Sequence, residues 1–289
     1  AEMPKLTQQQ RLILLERKQM TPSMAARQDG CHILISKDQN SVAMVNEEEH
    51  LCVHTYAPGL ALKKVQDTLA RLNKHLEKTL AFAKTNSSGY LTSMPVEAGE
   101  GLQFYVVLHL PALVRADMMA RIRKAIEKLH LNIAPFYSEA GEDVGNLFTI
   151  YTHAIPKGKA QEETAHLSRI CQLLADRETA LRQRLANDDD LRDAIHRSYA
   201  IMLHSWRMDF KEMLNLLSYI RLGCTTGVFY SEGCPLEQLL GDIYALYAVA
   251  APAYLVSTHK DLPDKEAARR WRSKYAAMAV RPLALRPII

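Results

Sequence analysis

Apolar positions in the first part of the chain follow first a helical and then an extended pattern. A helix is predicted from Thr7 to Gln19, since its apolar residues gather on one side and the pair Thr21-Pro22 stops it. Three short runs rich in Ile, Val, Leu and Met come next, separated by polar turns: Ile33–Ile35, Val42–Val45 and Leu51–Tyr56. Runs of this length and composition predict a β-meander.

A longer helical pattern follows the meander. Leucines and one valine recur at steps of three and four from Leu62 to Leu80, which predicts an amphipathic helix with one buried side. The almost unbroken apolar run Leu102–Leu110, between Gly101 and Pro111, predicts a central strand. The remaining predictions for this part are a helix over Val114–Leu129 and strands near Leu131–Tyr137 and Leu147–Thr152.

After Pro156 every remaining segment has helical periodicity. The predicted helices are Ala160–Leu185, Leu191–His204, Phe210–Arg221, Leu236–Ala250 and Lys265–Ala279. Strands joined by short turns favour an antiparallel sheet over a doubly wound parallel one. The pattern therefore predicts an α+β fold, with an antiparallel sheet flanked by helices in residues 1–156. A helical C-terminal region, residues 157–289, follows it and is a candidate dimerisation surface.

Charge and composition exclude several classes of function. Lys plus Arg exceed Asp plus Glu by 36 to 32 among 289 residues, and the two signs are interleaved. A nucleic-acid-binding protein needs a clustered basic stripe, so no nucleic-acid partner is expected. The most apolar stretch, Ile243 to Val256, is shorter than the roughly 20 residues of a membrane span and is predicted to be a core helix. No membrane partner and no secretion signal are found, so a cytoplasmic location is expected.

Cysteine and histidine spacing does not predict a metal site. The five cysteines are widely spread without a close Cys-x-x-Cys pair, which is typical of reduced thiols: Cys31, Cys52, Cys171, Cys224 and Cys234. His50 and His54 lack a third ligand at matching spacing. We therefore expect no bound metal.

Four stretches carry a resemblance to a known family. They are Val45–Leu51, then Gly89–Pro95 running into Leu108–Leu113, then Tyr137–Glu139 leading to Gly145-Asn146, and last Arg197–Tyr199 with Ile220–Gly223. In order and spacing over Leu12 to Phe229 they resemble the ATP:guanidino phosphotransferases, the superfamily of arginine and creatine kinases. The bacterial protein-arginine kinases (McsB type) are the most similar branch.

The resemblance implies a fold and a chemistry. It implies a small helical N-terminal domain, here expected to be missing or reduced, and a catalytic domain with an antiparallel sheet. In this family two carboxylates grip the substrate guanidinium, a cysteine lies beside it, and arginines hold the ATP phosphates. A planar guanidinium has forked donors that match carboxylates, and phosphoryl transfer depends mostly on positioning and charge neutralisation.

Residue by residue, the resemblance implies that the guanidine-binding residues of such a site are retained and that the phosphate-binding residues are lost. The two guanidine-binding carboxylates fall on Glu48 and Glu139, while Met94 replaces the family's cysteine. Cys52, Gln103 and Ala134 occupy three positions at which the family has phosphate-binding arginines. The early Ser-Ser-Arg-x-Arg phosphate motif is absent as well, since the chain is expected to begin after it.

The leading hypothesis is therefore a pseudokinase that needs no cofactor and binds a protein partner or arginine-containing proteins. A homodimer or an association with a kinase-activating protein is expected. The second hypothesis is an active protein-arginine kinase that uses ATP-Mg, with its phosphate contacts supplied by Arg115, Arg121, Arg123 or an N-terminal segment. A third is a dimeric non-catalytic scaffold, in which the acidic run Glu47–Glu49 is merely a solvated turn.

Overall fold

The computed structural model describes residues 1–27, 30–139, 142–231, 235–236, 238–241, 247, 250–258 and 265–286, and for Glu139 the backbone alone. The helices are α1 Gln8–Glu16, α2 Pro22–Ala26, α3 Leu62–Leu76, α4 Pro111–Arg115, α5 Met119–Lys128, α6 Ala160–Leu185, α7 Asp189–His204, α8 Phe210–Thr225, α9 Pro252–Thr258 and α10 Lys265–Val280. The strands are β1 His32–Ile35, β2 Ser41–Val45, β3 Leu51–Thr55, β4 Lys84–Thr85, β5 Gly89–Tyr90, β6 Tyr105–His109, β7 Leu131–Glu139, β8 Glu142–Thr152, β9 Phe229–Ser231 and β10 Leu283–Leu285.

The chain divides into two units, each assembled from several segments. Unit 1 comprises residues 1–106, 123–133 and 150–173, and unit 2 comprises residues 107–122, 134–149 and 174–289. Strands form sheets in the orders β1-β2-β3, β4-β5, β6-β8-β7 and β10-β9. The predicted α+β class, with antiparallel sheets and a helical C-terminal region, is confirmed. The domain boundary at residue 156 stays a prediction.

Unit 1 contains the predicted meander. β2 pairs antiparallel with both β1 and β3, so that Met44 faces Ile33 on one side and Cys52 on the other. Buried residues of β1 and β2 join methionines from the N-terminal segment in one core: Met3, Met20, Met24, Cys31, Ile33, Val42 and Met44. α1 begins with a capping box, in which Thr7 Oγ1 accepts from Gln10 N and Gln10 Oε1 accepts from Thr7 N.

Close backbone approach fixes the loop that follows β5. A Cβ built on Gly89 would lie 2.2 Å from Gly99 O, and one built on Gly99 would lie 2.2 Å from Ile155 O. Gly89 also has a φ of +81°, in the left-handed region that glycine adopts readily. Side chains are therefore excluded at both positions, and Gly99 and Glu100 are held against the backbone of Ile155.

Unit 2 packs α7, α8 and α10 around one apolar core. Gly223 on α8 permits the close packing, since a Cβ there would lie 2.5 Å from Phe229 and 2.7 Å from Ile195. β9 and β10 pair antiparallel within the same unit. The prediction that everything after Pro156 is helical is thus wrong at these two three-residue strands, which are too short to leave a period.

The predicted single helix over Val114–Leu129 is also wrong, because it is two helices. Asp117 has a φ of +53°, which ends the α4 turn before α5 begins at Met119. The predicted helices Ala160–Leu185, Leu191–His204, Phe210–Arg221 and Lys265–Ala279 match α6, α7, α8 and α10 closely. Most of the predicted helix Leu236–Ala250, the first part of the apolar stretch Ile243 to Val256, and Cys234 lie outside the described residues.

The glycine packing generates a paired stability prediction. We expect Gly89→Ala to lower the free energy of unfolding by about 2 kcal/mol or more, because the methyl group meets backbone and φ is positive. Gly59→Ala is the matched control, since its φ is +71° but no heavy atom lies within 4 Å. Denaturant titration followed by circular dichroism measures both, and equal losses for the two variants would contradict the packing explanation.

Candidate functional site

The loop between β2 and β3 gives its three adjacent glutamates different surroundings. Glu47 is buried, and its carboxylate accepts from Thr21 Oγ1 at 2.6 Å and from Glu48 N at 2.7 Å. Burial alone would raise the pKa of Glu47, but these hydrogen bonds, with Ser23 and the charge of Arg27, lower it. Glu47 therefore anchors the loop as a buried carboxylate.

Glu49 ties the loop to the segment that carries Met94. Its Oε1 accepts from both the backbone N and the Oγ of Ser93, each at 2.7 Å. The Met94 side chain is 53% exposed, and its carbonyl accepts from Thr92 Oγ1 at 2.7 Å. The predicted site residue Met94 thus follows directly after a residue bound to the acidic loop.

Glu48 differs from both of its neighbours. It is exposed, and within the described part of the chain its carboxylate has no hydrogen bond or ion pair. Glu47 and Glu49 fix the loop on either side, so this carboxylate is presented to solvent on a held backbone. Such a group is available to a cationic ligand, and the guanidine-binding role that the resemblance assigns to Glu48 stays a prediction.

Cys52, one of the positions expected to have lost an arginine, lies in a part of unit 1 where carboxylates supply negative charge. Its half-buried side chain lies 3.4 Å from His54 Nε2. Burial raises the pKa of the Cys52 thiol to about 11, with further contributions from four carboxylates: Glu47, Glu49, Glu48 and Glu97. The thiol is therefore neutral, and the charge around it repels an anion.

Gln103, the second such position, is exposed and is hydrogen-bonded to one aromatic side chain. Gln103 Oε1 accepts from the Tyr105 hydroxyl at 2.6 Å. The Tyr105 ring stacks on Tyr151 with centroids 5.3 Å apart, yet Tyr105 remains 57% exposed. Burial, followed by Tyr151, Cys52 and Glu97, raises the pKa of Tyr105. Gln103 is thus hydrogen-bonded to a neutral phenol and supplies no positive charge.

Two other predicted site residues belong to unit 2. Ala134 lies half-buried in β7, and Glu139 ends the same strand. The side chain of Glu139 is outside the described part, so its role as a guanidine-binding carboxylate stays a prediction.

Two charged residues, Arg115 and Glu100, each have a described partner. Arg115, an alternative phosphate ligand, is ion-paired with Asp188 at 3.0 Å. Glu100, which lies between Gly99 and Gly101, accepts a hydrogen bond from Gly158 N. Arg115 would have to give up its ion pair to bind a phosphate, whereas the carboxylate of Glu100 repels one.

The sequence did not reveal a buried polar cluster in unit 2. Arg182 donates from Nη2 to His109 O at 2.9 Å and to His109 Nδ1 at 3.3 Å. Because a guanidinium only donates, Nδ1 is unprotonated and the Nε2–H donates to Ser218 Oγ at 2.7 Å. Burial, with the charges of Arg221 and Arg182, lowers the pKa of His109 well below its usual value.

A buried carboxylate completes this cluster and positions α4. Glu178 accepts from Arg182 Nε at 2.7 Å, from Ala112 N at 3.0 Å and from Leu113 N at 2.9 Å. These two backbone amides belong to the first turn of α4 and have no partner within the helix. The contacts link residues far apart in sequence, which no local pattern predicts.

No group of three or more His, Cys, Asp or Glu side chains within the described ranges is arranged to hold a metal ion. The helices described here include none with the length and apolarity that crossing a membrane requires.

Structural comparison gives the class of fold. The taurocyamine kinase of Schistosoma mansoni with bound transition-state analogue components aligns with a TM-score of 0.52 and 19% identity, over 70% of this chain and 31% of that chain. Lombricine kinase aligns with a TM-score of 0.52 and 22% identity, over 61% of this chain and 52% of that chain. The fold is that of a guanidino kinase.

Sequence comparison defines the family. Residues 1–181 match the C-terminal catalytic domain of the ATP:guanido phosphotransferases, and residues 188–261 match the C-terminal domain of the protein-arginine kinase McsB. The chain therefore belongs to the ATP:guanido phosphotransferase family, on its protein-arginine kinase-like branch.

Two relatives illustrate the similarity. The protein-arginine kinase of Bacillus cereus (strain B4264) is 32% identical over 229 residues, which are 78% of this chain and 64% of that protein. The protein-arginine kinase of Halothermothrix orenii is 31% identical over 256 residues, which are 88% of this chain and 72% of that protein. The chain thus spans less than two thirds of the length of the first relative.

The buried ion pair generates a stability prediction. We expect Glu178→Ala to lower the free energy of unfolding by about 3–5 kcal/mol, since Arg182 and two amides would lose their buried acceptor. Asp193→Ala on α7 is the control, because its pair with Arg197 is exposed and is worth at most about 1 kcal/mol. Chemical denaturation tests this, and a small loss for Glu178→Ala would contradict it.

The neutral state of His109 generates a pH prediction. The unfolded chain takes up a proton at this residue below its usual pKa of about 6.5, whereas the folded chain does not, so stability is lost as pH falls through that value. Below it, the wild type should lose up to about 1.4 kcal/mol per pH unit more than His109→Gln. Unfolding measured at pH 7.5, 6.5 and 5.5 tests this, and parallel pH profiles would refute the assignment.

Proposed function

We propose that this protein is a pseudokinase of the protein-arginine kinase-like branch that binds arginine side chains of other proteins and no longer binds ATP. The observation that carries the proposal is the charge around Cys52. A position expected to hold a phosphate-binding arginine carries a neutral thiol, whose pKa is raised by burial and then by the charges of Glu47, Glu49, Glu48 and Glu97. A guanidinium is attracted to such surroundings and a triphosphate is repelled.

The acidic loop supports the cation-binding half of this proposal. Glu48 is exposed and has no described partner, while its neighbours are anchored by Thr21 and Ser93. A guanidinium that meets a held carboxylate forms charge-assisted hydrogen bonds worth about 1.5–3 kcal/mol each. Since the loop is already ordered, little further ordering is needed when the ligand binds.

The degenerate positions support loss of the nucleotide. Cys52, Gln103 and Ala134 supply no positive charge, and Gln103 is engaged with Tyr105. Phosphoryl transfer depends on cations that neutralise the developing charge, and a single transition-state arginine contributes roughly 10³–10⁵ in rate. Without such cations, transfer from ATP should be slower by many orders of magnitude.

Calorimetry tests the binding preference directly. We expect the full chain to bind a peptide with a central arginine, such as Ac-Ala-Ala-Arg-Ala-Ala-NH2, and to give no heat with ATP-Mg up to millimolar concentration. The peptide with lysine in place of arginine should bind more weakly, because an ammonium lacks the planar fork. Glu48→Gln should weaken the arginine peptide at least tenfold.

Matched variants separate this site from general charge effects. Glu127→Gln removes one exposed carboxylate of α5, and the arginine peptide should bind this variant as it binds the wild type. The triple variant Cys52→Arg/Gln103→Arg/Ala134→Arg should gain affinity for ATP-Mg. Binding of the arginine peptide that survives both Glu48→Gln and Glu139→Gln would contradict the proposed site.

An active protein-arginine kinase is the second candidate, favoured by relatives of that name at 32% and 31% identity. Mass spectrometry for phosphoarginine after incubation with ATP-Mg and a protein substrate distinguishes the two. Phosphoarginine that disappears in the Glu48→Gln variant, or micromolar ATP-Mg affinity, would establish the kinase and refute the pseudokinase. The scaffold alternative instead predicts that the Glu48→Gln/Glu139→Gln variant keeps every protein interaction.

A further inference from the structure

A second surface in unit 2 has chemistry opposite to that of the acidic loop. A groove of about 710 Å³ lies between the end of α7 and one face of α10. Leu203, Ala267 and Ala277 contribute apolar lining, and Ser205 and Ser273 bring the two helices together through their hydroxyl groups. The groove therefore has an apolar floor and is open along one side of α10.

Large apolar side chains border this groove and remain in water. Trp206 is 80% exposed and Met278 is 56% exposed, while Trp271 lines the same groove from α10. Exposed tryptophans are rare on surfaces without a partner, and clustered exposed apolar groups mark interaction sites. Tryptophan is also enriched among the residues that carry most binding energy at interfaces.

All the charged residues that line the groove are basic. They are Arg270, Lys274 and Arg281, each exposed, and none has an ion pair with a described carboxylate. Lys274 Nζ lies 4.6 Å from the centre of the Trp271 ring, so one cation lies beside an apolar wall. The three cations follow one helical face over about 16 Å, at 1.5 Å per residue.

We propose that this groove docks an acidic amphipathic segment of a partner protein. Aliphatic side chains of the segment would lie on the apolar floor and against Trp206 and Met278. Its carboxylates would pair with Arg270, Lys274 and Arg281 along α10. Helix-in-groove recognition of this kind places anchors at spacings of three and four residues, which matches the stripe on α10.

The same residues fit nucleic acid less well. Proteins that bind nucleic acid tightly neutralise about 6–10 phosphates, whereas this groove has three lining cations. Aliphatic floor residues such as Leu203 and Ala277 are not stacking platforms for bases. The observations therefore favour an acidic peptide over a single-stranded oligonucleotide.

Fluorescence anisotropy with defined probes tests the proposal on the full chain. The probe is a fluorescein-labelled 18-residue helical peptide with Leu along one face and Glu along the other. Three comparison probes are a scrambled peptide of the same composition, a peptide with Lys in place of Glu, and (dT)15. We expect the amphipathic acidic peptide to bind at least fivefold tighter than each of the three, and severalfold more weakly when salt rises from 50 to 300 mM.

Two variants remove the two kinds of contact. Arg270→Glu/Lys274→Glu should weaken the acidic peptide at least tenfold, and Trp206→Ala should weaken it severalfold. The charge-matched control is Lys124→Glu/Lys128→Glu, which reverses two exposed cations with the same four-residue spacing on α5. This control should bind the peptide as the wild type does. Because Arg270, Lys274 and Trp206 are exposed, unchanged circular dichroism spectra are expected for these variants.

Several outcomes would overturn the proposal. One is binding of the acidic peptide that is equal in the wild type and in Arg270→Glu/Lys274→Glu. Another is (dT)15 binding tighter than the peptide, which would assign the groove to nucleic acid. A third is a dimer in sedimentation equilibrium that Trp206→Ala dissociates, which would assign the groove to a second copy of the chain. Absence of peptide binding by the wild type at 100 μM would end the proposal as well.

Discussion

A carboxylate that leaves water must be given donors in exchange, and this constraint organises both units. Glu178 shows it in unit 2, where Arg182 and two amides of α4 surround one buried carboxylate. Glu47 shows it in unit 1, where the Thr21 hydroxyl and the backbone N–H of Glu48 donate to its carboxylate. Since these acidic groups are satisfied internally, they stabilise structure and are not available to ligands.

Glu48 differs from Glu47 and Glu178 because its carboxylate remains in water. An exposed carboxylate keeps its hydration, so it needs no internal partner and retains its full capacity to bind a cation. Its position is nevertheless well defined, because Glu47 and Glu49 fasten the loop at both sides. Glu47 and Glu49 are anchored, and the Glu48 carboxylate has no partner among the described residues, which supports the proposed binding role over a solvated turn.

Replacing arginines by neutral residues changes more than the number of hydrogen bonds. The arginines that the family places around the nucleotide would also offset the charge of the nearby glutamates. Where Cys52 stands instead, burial and then the charges of those glutamates raise the pKa of the thiol, and a neutral thiol does not offset their repulsion of an incoming phosphate. In the proposed pseudokinase, the loss of those arginines would therefore weaken anion binding and strengthen cation binding at once.

Local periodicity predicted most helices and strands, and it failed where contacts between residues distant in sequence determine where an element begins or ends. The meander and the bounds of α6 followed from the pattern because each buries one regular face. The break at Asp117 did not, because it coincides with α4 being held by Glu178, 60 residues or more away. The strands β9 and β10 were missed because three residues carry no period. At the candidate site, Glu48 was chosen by resemblance, whereas the anchoring of Glu47 and Glu49 emerged only from their contacts.

The net charge of the whole chain does not indicate the acidic loop of unit 1 or the basic groove of unit 2. A net charge of +4 with interleaved signs indicates neither an acidic nor a basic binding site. In the folded chain, carboxylates gather around Cys52 in unit 1, and cations gather on one face of α10 in unit 2. Three residues separate Arg270 from Lys274 and six uncharged residues separate Lys274 from Arg281, and only helical geometry aligns the three cations. Because the two proposed surfaces would select ligands of opposite charge, each can fail its own binding test without bearing on the other.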